Sequence, residues 1–582
     1  MENVEIAQLL TELADLLEIQ GANPFRVRAY RNAARTVRDH PGAVADLVEA
    51  GEDLSALPGI GKDLAGQLAT LVRTGRLPRL EEVAAEVPRS LARLVQLDGV
   101  GPKKARKLWT ELGVTTIDEL ERAIEEDRVA ALEGFGPTSV ARIREAIEHY
   151  RRQTGRFRLD VAEELIRPLV AHLEAAPTAE RVVVAGSYRR RRDTVGDIDI
   201  LVVAEEGWSD LMERFTTFRS VERVVSAGET RGSVVLRSGL EVDLRVVPAA
   251  SAGAALQYFT GSQAHSVALR QIAVRQGLSL NEWGVYRAED EAHAEPLAGA
   301  TEEEVYDALG LPWIPPELRE NRGEIEAARE GRLPELVALE DLRGDLHMHS
   351  TWSDGKASIE EMARACARRG YAYMVISDHS PALAMVGGLT PERARQQWAE
   401  LDRVREAVPD IRIYRGMEVD ILRDGALDMD DEVLAELDVV IISVHSLMDM
   451  DGPTMTERVL RAMAHPAVDI LGHPTGRILG KREPYALDVE AVLQAARDLD
   501  VAVEINANPR RLDLNEIHAR RARELGVKVA ISTDAHSLDG LEHMRFGVDQ
   551  GRRGWLQRED VLNAMEPDDF ERWLRRRAEG RA

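Results

Sequence analysis

A chain of 582 residues with 44% hydrophobic residues exceeds what a single core accommodates, so we expect several globular domains. The formal net charge is −26 and neither half of the chain is basic, which excludes nucleic-acid binding through overall positive charge and leaves only local, salt-sensitive contacts. No apolar run reaches the roughly 18 residues of a membrane helix, and a single cysteine, Cys366, excludes a disulfide framework, so we expect a cytoplasmic protein.

Residues 1–150 have apolar positions at helical spacing, interrupted by glycine and proline. Three segments share the pattern Leu-x-Gly-apolar-Gly followed by a helix: LPGIGKDLAGQL, LDGVGPKKARKL and LEGFGPTSVARI. Glycine at a helix start permits a tight turn and lets backbone N–H groups approach a phosphate. We expect the first two to bind the DNA backbone, whereas the third has no lysine and could equally be a structural hairpin. The predicted DNA-binding residues are Gly59, Gly61, Lys62, Gly99, Gly101, Lys103 and Lys104.

Residues from about 155 to 250 alternate apolar runs with turn residues, which predicts a sheet with helices. In the run VGDIDILVV, Asp197 and Asp199 point to the same face, because side chains alternate along a strand. The apolar flanks argue against solvent-facing acids on an edge strand. A third carboxylate, Asp243, lies in the run EVDLRVV. Three carboxylates on neighbouring strands suit two magnesium ions, one activating a 3′-hydroxyl and the other holding a triphosphate.

Residues 251–315 are again helical, and residues 316–342 read as a charged linker that could hold the last domain close or let it swing. From Asp345 onward, short apolar runs alternate with helical stretches. This alternation predicts a βα barrel, and polar residues end the runs, where such barrels place their chemistry.

Nine of the 14 histidines lie after residue 344, most of them at the ends of predicted strands. A mixed set of histidine and carboxylate donors without sulfur suits zinc, manganese or iron, and nine donors suit two or three ions. Such clusters ionise a water and polarise a phosphoryl oxygen. We assign His465, His518 and His543 to ordinary core or surface positions. The nine predicted donors are His347, His349, Asp354, His379, Glu418, His445, His473, Asp534 and His536.

The motifs GSYRR, VGDIDI, VDLRVVP and LQYFTGS, in that order, resemble the palm of the family X DNA polymerases, the DNA polymerase beta family. The resemblance covers residues 1–315 and implies Asp197, Asp199 and Asp243 as magnesium ligands and catalytic residues. It implies four parts: a lyase-like helix–hairpin–helix domain at 1–80, a helical DNA-binding subdomain at 81–154, a palm at 155–260 and a nucleotide-side subdomain at 261–315.

The same resemblance implies a set of residues that bind the incoming nucleotide. Ser187 and Arg190 would hold the triphosphate, and the Tyr258–Phe259 backbone would disfavour a ribose 2′-hydroxyl. Ser262 could instead simply cap the next helix. The implied nucleotide-binding residues are Gly186, Ser187, Arg190, Tyr258, Phe259, Gly261, Ser262 and Arg270.

Two positions depart from the family pattern. Ser266 stands where the family often has an asparagine on the base's minor-groove edge, which predicts weaker nucleotide affinity or selectivity. Gln67 stands where the deoxyribose-phosphate lyases of the family carry their Schiff-base lysine, and Asp63 occupies the accessory lysine position. We therefore expect weak or absent lyase activity.

Residues 343–575 resemble a PHP domain (polymerase and histidinol phosphatase), with all nine donor positions filled. The resemblance implies a distorted (βα)7 barrel, a site for up to three manganese or zinc ions and phosphoesterase chemistry, in which His445 and Asp534 would be the essential catalytic residues. Arg415, Arg477 and Lys481 are candidates for holding the substrate phosphate, although surface roles are equally compatible with the sequence.

The sequence thus predicts a multidomain protein of α+β and α/β class: helix–hairpin–helix domains, a polymerase beta-like nucleotidyltransferase palm and a PHP barrel. We expect a template-directed DNA polymerase that fills short gaps in repair, with 3′–5′ exonuclease, 3′-phosphatase or abasic-site cleavage in the barrel. The expected partners are gapped or nicked duplex DNA and dNTPs, without membrane, for a nucleoid-associated monomer. The alternatives are a metal phosphoesterase for small esters whose front half only tethers DNA, a non-catalytic gap-binding scaffold, and a template-independent nucleotidyltransferase.

Overall fold

The computed structural model describes residues 3–38, 40, 44–97, 99–153, 155–289 and 295–580. The chain divides into two compact units. One unit comprises residues 1–182, 196–246 and 480–482, and the other comprises residues 183–195, 247–479 and 483–582. Among the described helices, none combines the length and the apolar character that crossing a bilayer requires.

The first unit begins with a helical region whose core is formed by leucines of the first helix. Leu10, Leu13 and Leu17 are fully buried at helical spacing, and this helix packs against the second along their length. Within the described residues, the helices of this region are α1 (Asn3–Gln20), α2 (Pro24–Arg38), α3 (Val44–Ala50), α4 (Lys62–Thr74), α5 (Pro78–Glu86), α6 (Leu91–Val95), α7 (Pro102–Leu112), α8 (Ile117–Glu125) and α9 (Pro137–Gln153).

A five-stranded sheet with flanking helices follows. Its strands run in the order β2-β4-β7-β6-β5, and β5, β6 and β7 pair antiparallel. Ile198 and Ile200 of β4 are buried while Asp197 and Asp199 face outward, as the alternation of an apolar strand predicts. The elements are β1 (Phe157–Arg158), α10 (Leu159–Glu174), β2 (Arg181–Val184), α11 (Gly186–Arg189), β3 (Thr194–Val195), β4 (Asp197–Val203), α12 (Trp208–Thr216), β5 (Val221–Ala227), β6 (Arg231–Leu236) and β7 (Glu241–Val247).

The second unit continues with a small helical subdomain that carries one hairpin of strands. Leu269, Ile272, Val305 and Tyr306 belong to its buried core. The elements are α13 (Ala252–Thr260), α14 (Gln263–Arg275), β8 (Leu278–Asn281), β9 (Gly284–Arg287), α15 (Glu302–Ala308) and α16 (Glu324–Arg329).

Residues 316–342, expected to form a linker, contribute two fully buried charged side chains, Arg319 and Glu324. The Arg319 guanidinium donates to Glu302 at 2.6 Å, and Glu324 lies 2.6 Å from the ring of His265. Charges this deeply buried are stable only when paired. Both partners, Glu302 and His265, belong to the subdomain that precedes the segment, so the segment is packed into that subdomain.

A parallel seven-stranded barrel completes the second unit, with its strands in chain order from β10 to β16. The barrel closes where the Asp534 N–H donates to the His347 carbonyl and the His349 N–H donates to Ala535, both at 2.9 Å. This architecture confirms the predicted (βα)7 alternation. The elements are β10 (Gly344–Asp345), α17 (Ile359–Arg368), β11 (Tyr373–Ile376), α18 (Pro391–Ala407), β12 (Arg412–Asp420), α19 (Asp431–Leu434), β13 (Val439–Ser443), α20 (Gly452–Met463), β14 (Ile470–Leu471), α21 (Val489–Asp498), β15 (Ala502–Asn506), α22 (Glu516–Leu525), β16 (Val529–Ser532), α23 (Met544–Arg553) and α24 (Pro567–Gly580).

Candidate metal centre and polymerase site

The nine predicted donors meet at the carboxyl-terminal rim of the barrel. Each follows or ends a strand, because parallel strands bring their carboxyl ends to one face of the barrel. Three groups have ligand atoms within 4.8 Å of one another. The groups are His349, Asp354, His379 and His536; His347, His349 and Asp534; and His379, Glu418 and His445.

Glu418 is the central carboxylate of this rim. It is 1% exposed, and five imidazoles surround its two oxygens. The nitrogen–oxygen distances are 2.9 Å for His379 and His473, 3.3 Å for His347 and His445, and 3.6 Å for His349. Of the three remaining donors, Asp534 lies 3.1 Å from His349 and 3.6 Å from His536, and Asp354 lies 3.3 Å from His536.

Several buried imidazole nitrogens in this cluster, including two that lie close to a carboxylate oxygen, have no partner with hydrogen-bond geometry among the described residues. They are Nε2 of His347, both ring nitrogens of His349, Nδ1 of His379 and Nδ1 of His473. An unsatisfied buried polar atom is costly, and one that faces carboxylates from several strands is what a cation site requires. The residues present therefore fit divalent metal ions.

At several donors of the rim, the electrostatics favour the protonation state that binds a metal. Burial lowers the pKa of His349 to about 3, and the nearby His536 and His379 act in the same direction. Burial and the charge of Arg511 lower the pKa of His473 to about 4. Burial would raise the pKa of Asp534, but the surrounding imidazoles hold it well below the ordinary value. Neutral imidazoles and ionised carboxylates are the forms that bind metals.

Three more histidines, His347, His445 and His536, show the opposite balance, since nearby carboxylates raise their pKa. Burial alone would lower the pKa of His445, but the carboxylates of Glu418 and Asp420 raise it to about 9. Burial would also lower the pKa of His536, but the carboxylates of Asp354 and Asp534 raise it to about 9. At these positions the neighbouring carboxylates outweigh burial and favour the protonated imidazole.

Sequence reasoning missed a layer of carboxylates behind these donors. Glu504, fully buried in β15, lies 2.7 Å from Nδ1 of His347 and accepts the backbone N–H of His473 at 2.6 Å. Asp420 lies 3.1 Å from Nδ1 of His445. Such partners fix the orientation of a ligating imidazole. Glu504 and Asp420 could have been found by the pattern that indicated Asp197, which is an acidic residue within an apolar strand.

The three candidate phosphate-holding residues are differently placed. Arg415 forms two hydrogen bonds to Asp402, at 2.9 and 2.8 Å, and lies over the ring of Trp398. Arg477 donates to the carbonyls of Arg511 and Leu512. Arg415 and Arg477 therefore already have protein partners.

Lys481 is exposed.

The palm aspartates occupy adjacent strands. Asp197 and Asp199 lie on β4, and Asp243 lies on its neighbour β7, opposite Ser233 of β6. Asp197 is exposed and the other two are half-buried. In the part of the chain that the structure describes, these three carboxylates do not form a group with ligand atoms within 4.8 Å.

The Gly186–Ser187 turn begins α11, and Gly186 has a φ of +61°, a conformation that glycine adopts readily. Arg190, predicted on the triphosphate, is 9% exposed. Its guanidinium donates to the Thr260 carbonyl at 2.5 Å and to Glu320 at 3.1 Å. The arginine thus connects the turn to the end of α13.

The YFTGS segment ends α13 and begins α14. The rings of Tyr258 and Phe259 meet edge to face with centroids 5.1 Å apart. Gly261 has a φ of +65°, and the Ser262 hydroxyl accepts the His265 N–H at 3.3 Å, so Ser262 caps α14. The exposed Arg270, one helical turn beyond the buried Ser266, donates to the Ser266 carbonyl at 3.4 Å.

In the hairpins, Gly61 and Gly101 are the N-caps of α4 and α7, and Gly59 and Gly99 have φ of +76° and +83°. Lys62 and Lys103 are exposed at the starts of these helices.

The third lysine, Lys104, has partners within the protein. It donates to the Gly99 carbonyl at 3.1 Å and to the Ser139 hydroxyl at 2.7 Å, and it lies over the ring of Phe135. Lys104 therefore joins the second hairpin to the third.

Gln67, at the position of the Schiff-base lysine, forms hydrogen bonds with an uncharged and an acidic side chain. The Gln67 carbonyl oxygen accepts the Tyr30 hydroxyl at 3.0 Å, and its amide donates to Asp63 at 2.9 Å. No amine occupies this position to attack a sugar aldehyde.

Five family models match the chain. They are a helix–hairpin–helix domain at 1–77, a SAM-like helix–hairpin–helix tandem at 91–148, the DNA polymerase beta palm at 160–244, the DNA polymerase beta thumb at 255–320 and the PHP domain at 345–508.

Three curated proteins show how these parts combine elsewhere. The chain is 39% identical over 578 residues to "DNA polymerase/3'-5' exonuclease PolX" of Bacillus subtilis, covering 99% of this chain and 100% of that protein. A "Probable phosphatase" of Caldanaerobacter subterraneus is 34% identical over 204 residues, covering 33% of this chain and 75% of that protein. DNA polymerase lambda of Rattus norvegicus is 24% identical over 342 residues, covering 55% and 56% of the two chains.

Proposed function

Since this chain belongs to the PolX family of DNA polymerase/3′–5′ exonucleases, we propose that it fills short gaps in duplex DNA and that its barrel processes 3′ ends. The observation that carries the second activity is the rim of nine donors with unpartnered, buried imidazole nitrogens. The palm and thumb matches support the first activity.

In the polymerase site, we assign Asp197, Asp199 and Asp243 to hold two magnesium ions. When bound, magnesium neutralises triphosphate charge and makes the 3′-hydroxyl of the primer more acidic. The carboxylates come from adjacent strands, and the exposure of Asp197 leaves it accessible to an incoming nucleotide. Arg190, through its bond to Thr260, positions the Ser187 turn that receives the triphosphate.

The remaining nucleotide-binding assignments rest on the family resemblance. Gly186 offers a backbone N–H to the triphosphate, Tyr258, Phe259, Gly261 and Ser262 line the sugar pocket, and Arg270 reaches the template minor groove. The exposed guanidinium of Arg270 supports the last assignment, whereas the capping of α14 is a structural role that Ser262 has in any case.

In the barrel, the nine donors would hold up to three manganese or zinc ions. When bound, such ions lower the pKa of water and neutralise phosphoryl charge. Glu418 lies among five of these imidazoles, and Glu504 fixes the ring of His347. His445 and Asp534 are proposed to be essential because each approaches several other donors, and His445 is more exposed than most of the buried imidazoles around it.

Three end-processing reactions share this phosphoesterase chemistry: 3′–5′ exonuclease, 3′-phosphatase and abasic-site cleavage. A second candidate is hydrolysis of small phosphate esters, which the likeness of the barrel to a "Probable phosphatase" favours. The palm and thumb matches oppose the idea that the front half is only a DNA tether.

DNA would be held by its backbone through the hairpins, with gapped or nicked duplex and dNTPs as substrates for a monomer. The exposed Lys62 and Lys103 support this contact, while Lys104 contributes by fixing the hairpins to each other. Because Gln67 stands in place of the Schiff-base lysine, we propose that the protein has no lyase activity by that route. Such an enzyme would work on the nucleoid.

The test is a gel assay of a labelled primer in a short gap, with Mg²⁺ or Mn²⁺, with and without dNTPs. The double variant Asp197→Ala/Asp199→Ala is expected to lose extension but to keep shortening the primer. His445→Ala is expected to do the reverse, and His465→Ala, outside the rim, is the control. A wild type that shortens the primer without ever extending it would leave only the phosphoesterase assignment.

A further inference from the structure

We infer that Arg511 binds a phosphoryl oxygen of the substrate at the barrel rim, a role that rests on the phosphoesterase function proposed above. Arg511 follows β15 in the segment EINANPRRLDL, at the same end of the barrel as the nine donors. The family motifs that predicted the donors did not point to it.

The guanidinium of Arg511 lies beside the metal cluster. Its Nε is 3.8 Å from Asp534. One terminal nitrogen, Nη1, is buried and has no hydrogen-bond partner among the described residues. A buried, unpaired guanidinium N–H is costly, and an anion with free oxygens would satisfy it.

The loop that carries Arg511 is firmly held, so the side chain is presented in a defined position. The Arg511 N–H donates to the Asn508 carbonyl at 2.7 Å, and the Arg511 carbonyl accepts from Arg477 at 2.9 Å. Asp513, two residues later, accepts the Thr475 N–H and hydroxyl at 3.0 and 2.8 Å. Arg477 therefore supports this loop.

The side chain of Arg511 is 19% exposed, so a substrate can reach it. Its neighbour Asp534 does not neutralise it by a hydrogen bond, because 3.8 Å exceeds hydrogen-bond length. Beside ions that bind one face of a phosphoryl group, a guanidinium can hold a remaining non-bridging oxygen. This ligand chemistry is shared by a phosphodiester within DNA, a 3′-terminal phosphate and a small phosphate monoester.

The experiment compares wild type, Arg511→Met, Arg511→Lys and the neighbouring control Arg510→Met, all as full chains loaded with Mn²⁺. Bound manganese is counted first, and binding of inorganic phosphate is then titrated by calorimetry. We expect unchanged manganese content in every variant. Phosphate affinity should fall about 10- to 100-fold in Arg511→Met, with partial recovery in Arg511→Lys, because a charged hydrogen bond is lost.

Hydrolysis is measured on three substrates: an oligonucleotide with a 3′-hydroxyl, one with a 3′-phosphate, and p-nitrophenyl phosphate. A KM increase in Arg511→Met on every hydrolysed substrate is expected, and the substrate with the largest increase identifies the phosphate that Arg511 holds. Unchanged phosphate affinity, or loss of manganese in Arg511→Met, would overturn the inference. If wild type hydrolyses none of the three, the proposed function fails, while the phosphate titration still decides the role of Arg511.

Discussion

The buried pairing of Glu302 with two arginines should dominate the stability of the subdomain that carries YFTGS. Glu302 is 5% exposed and accepts from Arg189 at 2.8 and 2.7 Å and from the fully buried Arg319 at 2.6 Å. Arg189 also donates to the Thr260 hydroxyl at 2.7 Å. The substitution Glu302→Gln keeps the side-chain volume and removes the negative charge, leaving the charge of Arg319 without its buried carboxylate partner.

The size of the effect follows from the pKa of Glu302. Burial would raise this pKa, but the hydrogen bonds and charges of Arg189 and Arg319 lower it from 4.5 to about 2, which corresponds to about 3 kcal/mol. Because the folded-state pKa is depressed, this stabilisation is present above pH 4.5 and is lost as the pH falls toward 2. Breaking a buried ion pair costs about 3–5 kcal/mol, in agreement with this figure.

Peptide-resolved hydrogen exchange over residues 252–330 is the appropriate assay, because a chain of several domains need not unfold in one step. At pH 7, Glu302→Gln should lower the free energy of opening of these peptides by about 3 kcal/mol. The exposed neighbour Glu303→Gln should change it by less than about 1 kcal/mol. The difference between wild type and Glu302→Gln should shrink below pH 4.5. Equal effects of the two substitutions would refute the reasoning.

Three further outcomes are expected. Glu504→Gln should weaken manganese binding about 10- to 100-fold in a chelator competition, because the His347 ring loses its orienting carboxylate; undiminished affinity would contradict this. Lys103→Ala should reduce the slope of log affinity for duplex DNA against log salt by about 0.9 without changing the melting temperature. Lys104→Ala should lower the melting temperature, because Lys104 has two hydrogen-bond acceptors among the residues that the structure describes. Borohydride should trap no adduct of wild type with a 5′-deoxyribose phosphate end, whereas Gln67→Lys should give one; a wild-type adduct would reveal another amine.

Much of the barrel could be predicted from sequence because its signals are local. His347, His379 and His445 each stand where an apolar run ends, and the parallel strand order brings these ends together. Glu504 lies inside an apolar run and not at its end, so the sequence pattern indicates it less strongly. Its role was recognised only from its contact with His347. The sequence around Arg511 did not indicate a functional role, because two adjacent arginines in a loop are common on protein surfaces.

The pairing of Arg319 with Glu302 shows what sequence patterns miss. The composition of residues 316–342 is that of an exposed linker, yet Arg319 is completely buried. Burial of a charge depends on a partner, and that partner lies in a different helix, α15. Local composition cannot reveal such a pair. The same limit applies to Arg190, whose bond to Thr260 spans 70 residues.

A gene split within residues 316–342 would separate charged groups that now neutralise each other. Arg553, near the end of α23, is 2% exposed along its side chain; it donates to the Arg190 carbonyl at 2.7 Å and pairs with Glu320 at 3.2 Å and Glu516 at 3.0 Å. Two separately encoded proteins would each expose part of this set, and each would need compensating substitutions before it folded well. Separation of the two parts would therefore be costly, and we expect each to be less stable alone than within the full chain.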